Sequence, residues 1–279
     1  MKISVGNYQF YGTQLHRTPT KKMPLLLLHG FMGCCEDWGA MVEGWKGLPG
    51  AHLPAVYALD LPAHGDTRLF EDCPADYGMA ATAQGVKQWT QKVQSGPWAI
   101  AGYSMGGRLA LYIAANFAEY FPVTVAIAAP PGLASKKDRQ ARQTLDSQRA
   151  HTLEQCAEDG TFGDFLARWY QMPLFSNLAK HPSFGTMLRR RRRNNPNLLA
   201  SSLRHLGLGQ QPFLLPGLAN YSGTLHLAVG DRDSKFMAIN QAIAHHCPGA
   251  QLTVIPNSGH TVPLENPTAL ARLLTKALI

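Results

Sequence analysis

Six short apolar runs punctuate the chain. Leu25 to Leu28 ends at His29-Gly30, Ala55 to Leu59 at Asp60-Leu61-Pro62, and Trp98 to Ala101 at Gly102. Val123 to Ala128, Leu225 to Val229 and Leu252 to Ile255 complete the set. Continuous apolar runs bounded by turn signals predict strands buried on both faces of a sheet. Behind the third run, Met105 to Phe117 carries apolar residues at helical spacing. Strands that alternate with helical patterns indicate βαβ units, hence an α/β fold with a mostly parallel central sheet.

Between Pro131 and Ser222 the alternation stops. The segment instead holds amphipathic stretches, Arg139 to Ala157 and Phe162 to Tyr170, with further ones around Pro173, Pro196 and Pro212. An insertion placed after a strand of a parallel sheet emerges at the carboxyl edge, where open α/β sheets bind ligands. The expected organisation is therefore a core of residues 1–130 and 223–279 and a helical lid of residues 131–222 over a site. No internal repeat or flexible linker interrupts this plan.

Composition narrows the class. Of 279 residues, 45% are hydrophobic and 16% charged, the latter below the roughly 25% of soluble proteins, which argues against a disordered chain or a coiled coil. The longest purely aliphatic run, Leu25 to Leu28, falls far short of the roughly 18 residues a membrane span needs, so no membrane association is expected. Met1 to Gly12 alternates polar and apolar residues and lacks the apolar core of an export signal, so a cytoplasmic protein is expected. Cys34, Cys35, Cys73, Cys156 and Cys247 are odd in number and lack C-x-x-C spacing, which predicts reduced thiols and no zinc site.

Charge is unevenly placed. The net charge is +8, and residues 131–222 hold 13 Lys or Arg against 6 Asp or Glu, so +7 of it lies in the expected lid. A charge kept only for solubility would be spread out; one confined to the lid implies an anionic ligand.

Candidate chemistry begins at Gly102-Tyr103-Ser104-Met105-Gly106, a G-x-S-x-G set between a predicted strand and a predicted helix, where a sharp turn presents a nucleophilic serine. A triad requires an acid and a histidine on loops after later strands. Asp233 follows the run Leu225 to Val229 and His260 follows Leu252 to Ile255; Asp231 competes with Asp233, which is preferred for its greater distance past the strand end. His16, His181, His245 and His246 have no motif around them. Backbone amides of Met105 and of Phe31, in Leu-His-Gly-Phe after the first strand, would form an oxyanion hole. The order His-Gly-Phe, Asp60 to Gly65, elbow, acid, histidine resembles that of the α/β-hydrolase superfamily. Arg108, four residues after Ser104, would lie one turn into the elbow helix. It is either a helix arginine paired to a carboxylate or a clamp for a substrate carboxylate, to which a guanidinium offers two donors. Arg139, Arg142, Arg149 and Arg189 to Arg193 add cations in the lid.

Three segments carry a more specific resemblance: Gly102 to Arg108, Trp169-Tyr170-Gln171-Met172-Pro173-Leu174-Phe175 and Gly230-Asp231-Arg232-Asp233-Ser234-Lys235-Phe236. With them the chain resembles the 2-succinyl-6-hydroxy-2,4-cyclohexadiene-1-carboxylate synthases of menaquinone and phylloquinone biosynthesis, from about Leu26 to Pro267. The resemblance implies a lyase that eliminates pyruvate from 2-succinyl-5-enolpyruvyl-6-hydroxy-3-cyclohexene-1-carboxylate, a tricarboxylate, without cofactor or metal. It implies proton abstraction by Ser104 with His260 and Asp233, an oxyanion hole from Phe31 and Met105, and Tyr103, Arg108, Arg142, Trp169 and Arg191 in the substrate pocket. Within the arginine run Arg191 is chosen for its place before Asn194-Asn195-Pro196, with Arg190 as the alternative. Two positions depart from the family pattern: Ala63 stands where glycine is common, and Pro263 where a second histidine often follows the catalytic one.

Three other readings compete. A serine carboxylesterase or C–C bond hydrolase acting on an anionic substrate would use Ser104 as a covalent nucleophile. A nucleic-acid-binding protein would use Arg189 to Arg193 and the pI of about 9.3, but no recognition helix, aromatic RNA-binding pattern or zinc spacing accompanies the run. A ligand-sensing relic would have lost the triad, whose three positions are filled here. The expected partner is a small polycarboxylate, with no nucleic acid and no membrane; the chain would be a monomer or a small homo-oligomer.

Overall fold

The computed structural model describes residues 1–19, 22–50 and 52–278. Two antiparallel strands, β1 (Lys2–Val5) and β2 (Tyr8–His16), open the chain. Then come β3 (Leu25–Leu28), α1 (Gly39–Lys46), β4 (Val56–Leu59), the short β5 (Arg68–Leu69), α2 (Met79–Val93), β6 (Ala99–Tyr103), α3 (Met105–Asn116) and β7 (Val123–Ile127). After an all-helical segment the pattern resumes with β8 (Thr224–Gly230) and β9 (Gln251–Ile255). Strand order is β1-β2-β4-β3-β6-β7-β8-β9, with β5 paired to β2.

Each of the six apolar runs falls on a strand of the parallel part of this sheet. The antiparallel edge of β1, β2 and β5 was not among them. Along β2 buried positions alternate with half-buried ones, the pattern of a strand with one covered face, which a search for continuous runs passes over.

Register places the site. Leu28 lies beside Gly102, Tyr103 beside Ile127, Ile127 beside Ala228, and Gly230 beside Ile255. The carboxyl ends of β3, β6, β7, β8 and β9 therefore come out nearly level, and the loops that follow them share one edge of the sheet. One face is covered by α1 and α11 (Pro267–Ala277), and Trp38, Trp45, Leu270 and Leu274 share one apolar cluster there with residues of β3, β4, β6 and β7. On the other face α2 and α3 enclose Phe10, Trp89, Trp98 and Ile113.

Between β7 and β8 lie α4 (Lys136–Asp159), α5 (Phe162–Tyr170), α6 (Phe184–Arg191), α7 (Pro196–Leu206) and α8 (Leu215–Ala219). Gly160 ends α4 in the left-handed conformation at φ +69°. α4 packs along α7, and the lid encloses an apolar cluster of its own that includes Ala150, Leu153, Leu166, Leu199 and Leu203. Met32, from the loop after β3, completes that cluster. The last helix behaves differently: Leu214 and Leu218 join Leu111, Ala114 and Ile243. α8 thus packs with the core layer, although it falls inside residues 131–222. No helix among the described residues is long and apolar enough to cross a membrane.

Candidate active site

Ser104 sits between β6 and α3 with φ +51° and ψ −106°, a conformation that costs an L-residue roughly 1–3 kcal/mol and persists only when its surroundings impose it. The surroundings do. A Cβ on Gly102 would stand 2.1 Å from the carbonyl oxygen of Gly106, and one on Gly106 would stand 2.4 Å from that of Leu28. Only glycines let the strand, the turn and the helix approach this closely. The Ser104 amide donates to Ile127 O at 2.8 Å and the Gly106 amide to His29 O at 3.1 Å, which fixes the turn to β7 and to the loop after β3.

His260 brings Nε2 to 3.2 Å from Ser104 Oγ and Nδ1 to 2.7 Å from Asp233 Oδ2, with histidine and aspartate side chains only 2% and 5% exposed. In the neutral imidazole, Nδ1–H donates to the carboxylate and Nε2 accepts from the serine hydroxyl. The other carboxylate oxygen of Asp233 accepts from the Phe236 amide at 3.2 Å and so caps α9 (Ser234–His246). Asp231, the competing acid, points elsewhere: it accepts from the amides of Asn257 and Ser258, each at 3.0 Å. It ties the end of β8 to the histidine loop.

The Met105 amide is the first of α3 and has no acceptor within its own helix. Phe31 lies in the turn closed by Gly33 N–H to Gly30 O at 2.9 Å. Its ring contacts Trp169 and His64 at centroid distances of 5.4 and 5.6 Å. Two loops brace this turn. His29 Nε2 accepts from the Leu61 amide at 3.0 Å while Nδ1 donates to Gly30 O at 2.8 Å, and burial holds its pKa below the ordinary histidine value. Asp60 accepts from the amides of Cys35 and Asp66 at 2.6 and 2.8 Å. His64 is pushed down to about 3 by burial and then by His29, so it is neutral. Ala63, the departure from glycine, takes φ +69°, a backbone that suits glycine better. Pro263 stands in the first turn of α10 (Val262–Glu265), where a missing N–H is tolerated.

A cavity of about 950 Å³ opens over the triad and is lined by Phe31, Tyr103, Arg108, Arg142, Trp169 and Arg191 among others. All ten residues singled out by sequence line this one space. Their charges are not equivalent. Arg108 is buried, and its guanidinium donates to Gln211 Oε1 at 3.2 Å and to Leu206 O at 2.9 Å, both neutral. Burial first, and then the Arg142 charge, lower its pKa to about 10. Arg142 Nε reaches Asp146 Oδ1 at 2.8 Å, and Arg149 Nη1 lies 4.0 Å from the same oxygen. Arg149 also stands over the Trp169 ring at 5.3 Å. Arg142 and Arg149 thus share one carboxylate and Arg108 meets none, which leaves a positive excess in the cavity wall.

Arg191 lines the cavity, but its guanidinium is already engaged by the protein. Its Nη1 and Nη2 donate to the two oxygens of Asp37 at 3.1 and 2.6 Å, and its Nε to Tyr170 Oη at 3.2 Å. The fork that would grip a substrate carboxylate is filled by a protein carboxylate. Arg190, the alternative, also pairs with Asp37, at 3.2 Å. Sequence reasoning passed over Asp37, Asp146 and Gln211. Asp146 was within reach, four residues after Arg142 on a predicted helix. Asp37 and Gln211 carry no local signal, being 154 and 103 residues from the arginines they meet.

A family model described as "Alpha/beta hydrolase family" matches residues 25–273. The putative 2-succinyl-6-hydroxy-2,4-cyclohexadiene-1-carboxylate synthase of Bacillus subtilis is 30% identical over 93% of this chain and 92% of its own. The synthase of that name from Enterobacter sp. is 30% identical over 91% of each. Protein PHYLLO, chloroplastic, of Arabidopsis thaliana is 27% identical over 91% of this chain, which spans 15% of that larger protein. Among solved structures, MenH from S. aureus superposes with TM-score 0.85 at 24% identity, over 98% of both chains, and an enol-lactonase from Burkholderia xenovorans with TM-score 0.78 at 14%, over 100% and 99%. The chain belongs to the alpha/beta hydrolase family and, within it, to the group that contains the 2-succinyl-6-hydroxy-2,4-cyclohexadiene-1-carboxylate synthases.

Proposed function

We propose that this protein eliminates pyruvate from 2-succinyl-5-enolpyruvyl-6-hydroxy-3-cyclohexene-1-carboxylate to give 2-succinyl-6-hydroxy-2,4-cyclohexadiene-1-carboxylate, in menaquinone or phylloquinone biosynthesis. The observation that carries the proposal is the pairing, in one cavity, of a Ser-His-Asp triad with three arginines, of which Arg142 and Arg149 share a single carboxylate and Arg108 meets only neutral acceptors. A neutral ester would leave that charge unmatched at a cost in desolvation. A tricarboxylate supplies the missing anions.

The reaction begins at the carbon next to the succinyl ketone. Ser104 Oγ takes the proton from that carbon as its own hydroxyl proton passes to His260 Nε2, and Asp233 stabilises the imidazolium. Negative charge moves onto the ketone oxygen, which the amides of Phe31 and Met105 receive. The electron pair then returns to form the C2=C3 double bond, the existing C3=C4 double bond shifts to C4=C5, and the C5–O bond to the enolpyruvyl group breaks. Pyruvate leaves as its enolate, protonated by the imidazolium. Arg108, Arg142 and Arg149 hold the carboxylates, and Tyr103 and Trp169 bound the ring.

The test is pyruvate release from the freshly generated substrate by wild type, Ser104→Ala and Arg108→Ala. Release by wild type above the spontaneous rate is expected, with a loss of about 10³-fold or more in kcat for Ser104→Ala. No release above the spontaneous rate sinks the proposal. The triad would then serve hydrolysis of an anionic ester, for which the same distances suffice.

A further inference from the structure

We propose that Glu265 is a positioning residue for His260. The segment from Asn257 to Thr261 is irregular backbone, so each of its buried N–H groups needs an acceptor outside regular structure. Two carboxylates provide them. Asp231 takes the amides of Asn257 and Ser258 at 3.0 Å each. Glu265 takes those of Gly259 at 2.5 Å and Thr261 at 3.0 Å, one oxygen for each. The two N–H groups gripped by Glu265 are the ones on either side of His260.

The rest of the loop is built around that grip. A Cβ on Gly259 would lie 3.2 and 3.3 Å from the two Glu265 oxygens, closer than a side chain is normally tolerated, so the glycine makes room for the carboxylate. Thr261 caps α10, and the amides of Leu264 and Glu265 both return to Thr261 O at 2.9 Å. Glu265 therefore reaches back over a single helical turn from a rigid base. Charge-assisted hydrogen bonds to both flanks of one residue leave its backbone little freedom. The imidazole that must stand 3.2 Å from Ser104 Oγ is held at Nδ1 by Asp233, and the backbone that carries it is fixed on both flanks by Glu265.

The inference rests on Ser104 and His260 being the reacting pair, as read above, and not on the identity of the substrate. It is tested with a small uncharged fluorophosphonate. In that reaction the Ser104 Oγ–P bond forms, the P–F bond breaks, fluoride leaves and the hydroxyl proton passes to His260. The rate constant reports the poise of the pair; the final labelled fraction reports how much protein is folded. Glu265→Gln is nearly isosteric but offers one acceptor oxygen instead of two, and Glu265→Ala offers none. The expected result is a rate constant reduced about tenfold in Glu265→Gln and up to about a hundredfold in Glu265→Ala, at full final labelling. In the pyruvate assay kcat would fall by similar factors with KM unchanged.

Wild-type rate constants in both variants overturn the proposal. So does a reduced labelled fraction at an unchanged rate constant, which would mean that Glu265 only keeps the chain folded. Slowed labelling in the variants of a wild type that releases no pyruvate would uphold Glu265 while refuting the proposed substrate. A wild type that resists labelling would refute the reacting pair and Glu265 together.

Discussion

Two groups of arginines, one lining the cavity and one reaching it only through Arg191, are balanced differently. Arg142 and Arg149 share one carboxylate, Asp146, while Arg108 meets only neutral acceptors. Arg190, Arg191 and Arg193 meet two, Asp37 and Glu36. The first group lies close to Ser104 on α3 and on the facing lid helix α4; the second joins the end of the lid helix α6 to the loop after β3. Arg108 apart, both look alike in the sequence, as basic residues in one third of the chain. The structure divides them into a surface with charge to spare and a clasp whose charges are largely spent. Net charge of a region therefore points to a ligand only after internal ion pairs have been subtracted.

The strongest way to break this comparison is to attack the clasp. Asp37 is the carboxylate that Arg191 fills with both arms of its guanidinium, and Arg191 is 8% exposed. Asp37→Ala should cost about 3 kcal/mol of stability, because removing one partner leaves a buried charge unpaired. Melting temperature would register it. The pH dependence has a definite sign. Burial tends to raise the Asp37 carboxyl, but the Arg191 charge and hydrogen bonds outweigh it and hold the pKa below the ordinary carboxylate value. A depressed folded-state pKa contributes stability that is present above the unfolded-state value and is lost as pH falls through the folded one. The stability gap between wild type and Asp37→Ala should therefore narrow under acid. A gap that is constant with pH would mean that the clasp carries no ionic contribution.

The unmatched group is tested through activity. Arg108→Ala should lower kcat/KM for pyruvate release by about a hundredfold, or about 2.7 kcal/mol, with little change in melting temperature. Its removal frees two neutral acceptors and no carboxylate, which is why stability and activity should separate here but not at Asp37. Equal losses in both measurements would erase the distinction between the two groups.

How much of this could be read beforehand follows the physics of the signals. The inner parallel strands were legible because burial on both faces leaves continuous apolar runs such as Leu25 to Leu28, and the elbow because its glycines stand where a Cβ would come within 2.1 and 2.4 Å of backbone oxygens. Ser104, Asp233 and His260 followed from their order after successive strands. Ion pairing was not legible. Arg190 and Arg191 are adjacent in the chain, both meet Asp37, and nothing local says that one of them fills its fork with protein. Glu265 was missed for another reason: its partners are backbone amides, which have no sequence identity at all.

A finer probe keeps Arg108 and changes what it faces. Gln211 is buried, accepts from Arg108 through Oε1 and donates to Pro130 O at 3.2 Å through Nε2. Gln211→Glu would hand Arg108 a carboxylate of the protein's own and give the unmatched group the balance of the clasp. The expected effect is about a tenfold rise in KM, or about 1.4 kcal/mol, with kcat changed less. An unchanged KM would show that the surplus charge is not what holds the substrate.

The smallest effect marks the outer limit of the clasp. Arg193 and Glu36 pair at 2.7 Å but are 60% and 56% exposed, and exposed pairs are screened by salt and contribute about 0–0.5 kcal/mol. Arg193→Ala should leave pyruvate release unchanged and shift the melting temperature by no more than about 2 °C, a shift that disappears at high salt. A larger shift, insensitive to salt, would extend the clasp from the buried Asp37 pairs to the whole arginine run. In that case the run would act as one network, and Arg191 could not be treated apart from its neighbours.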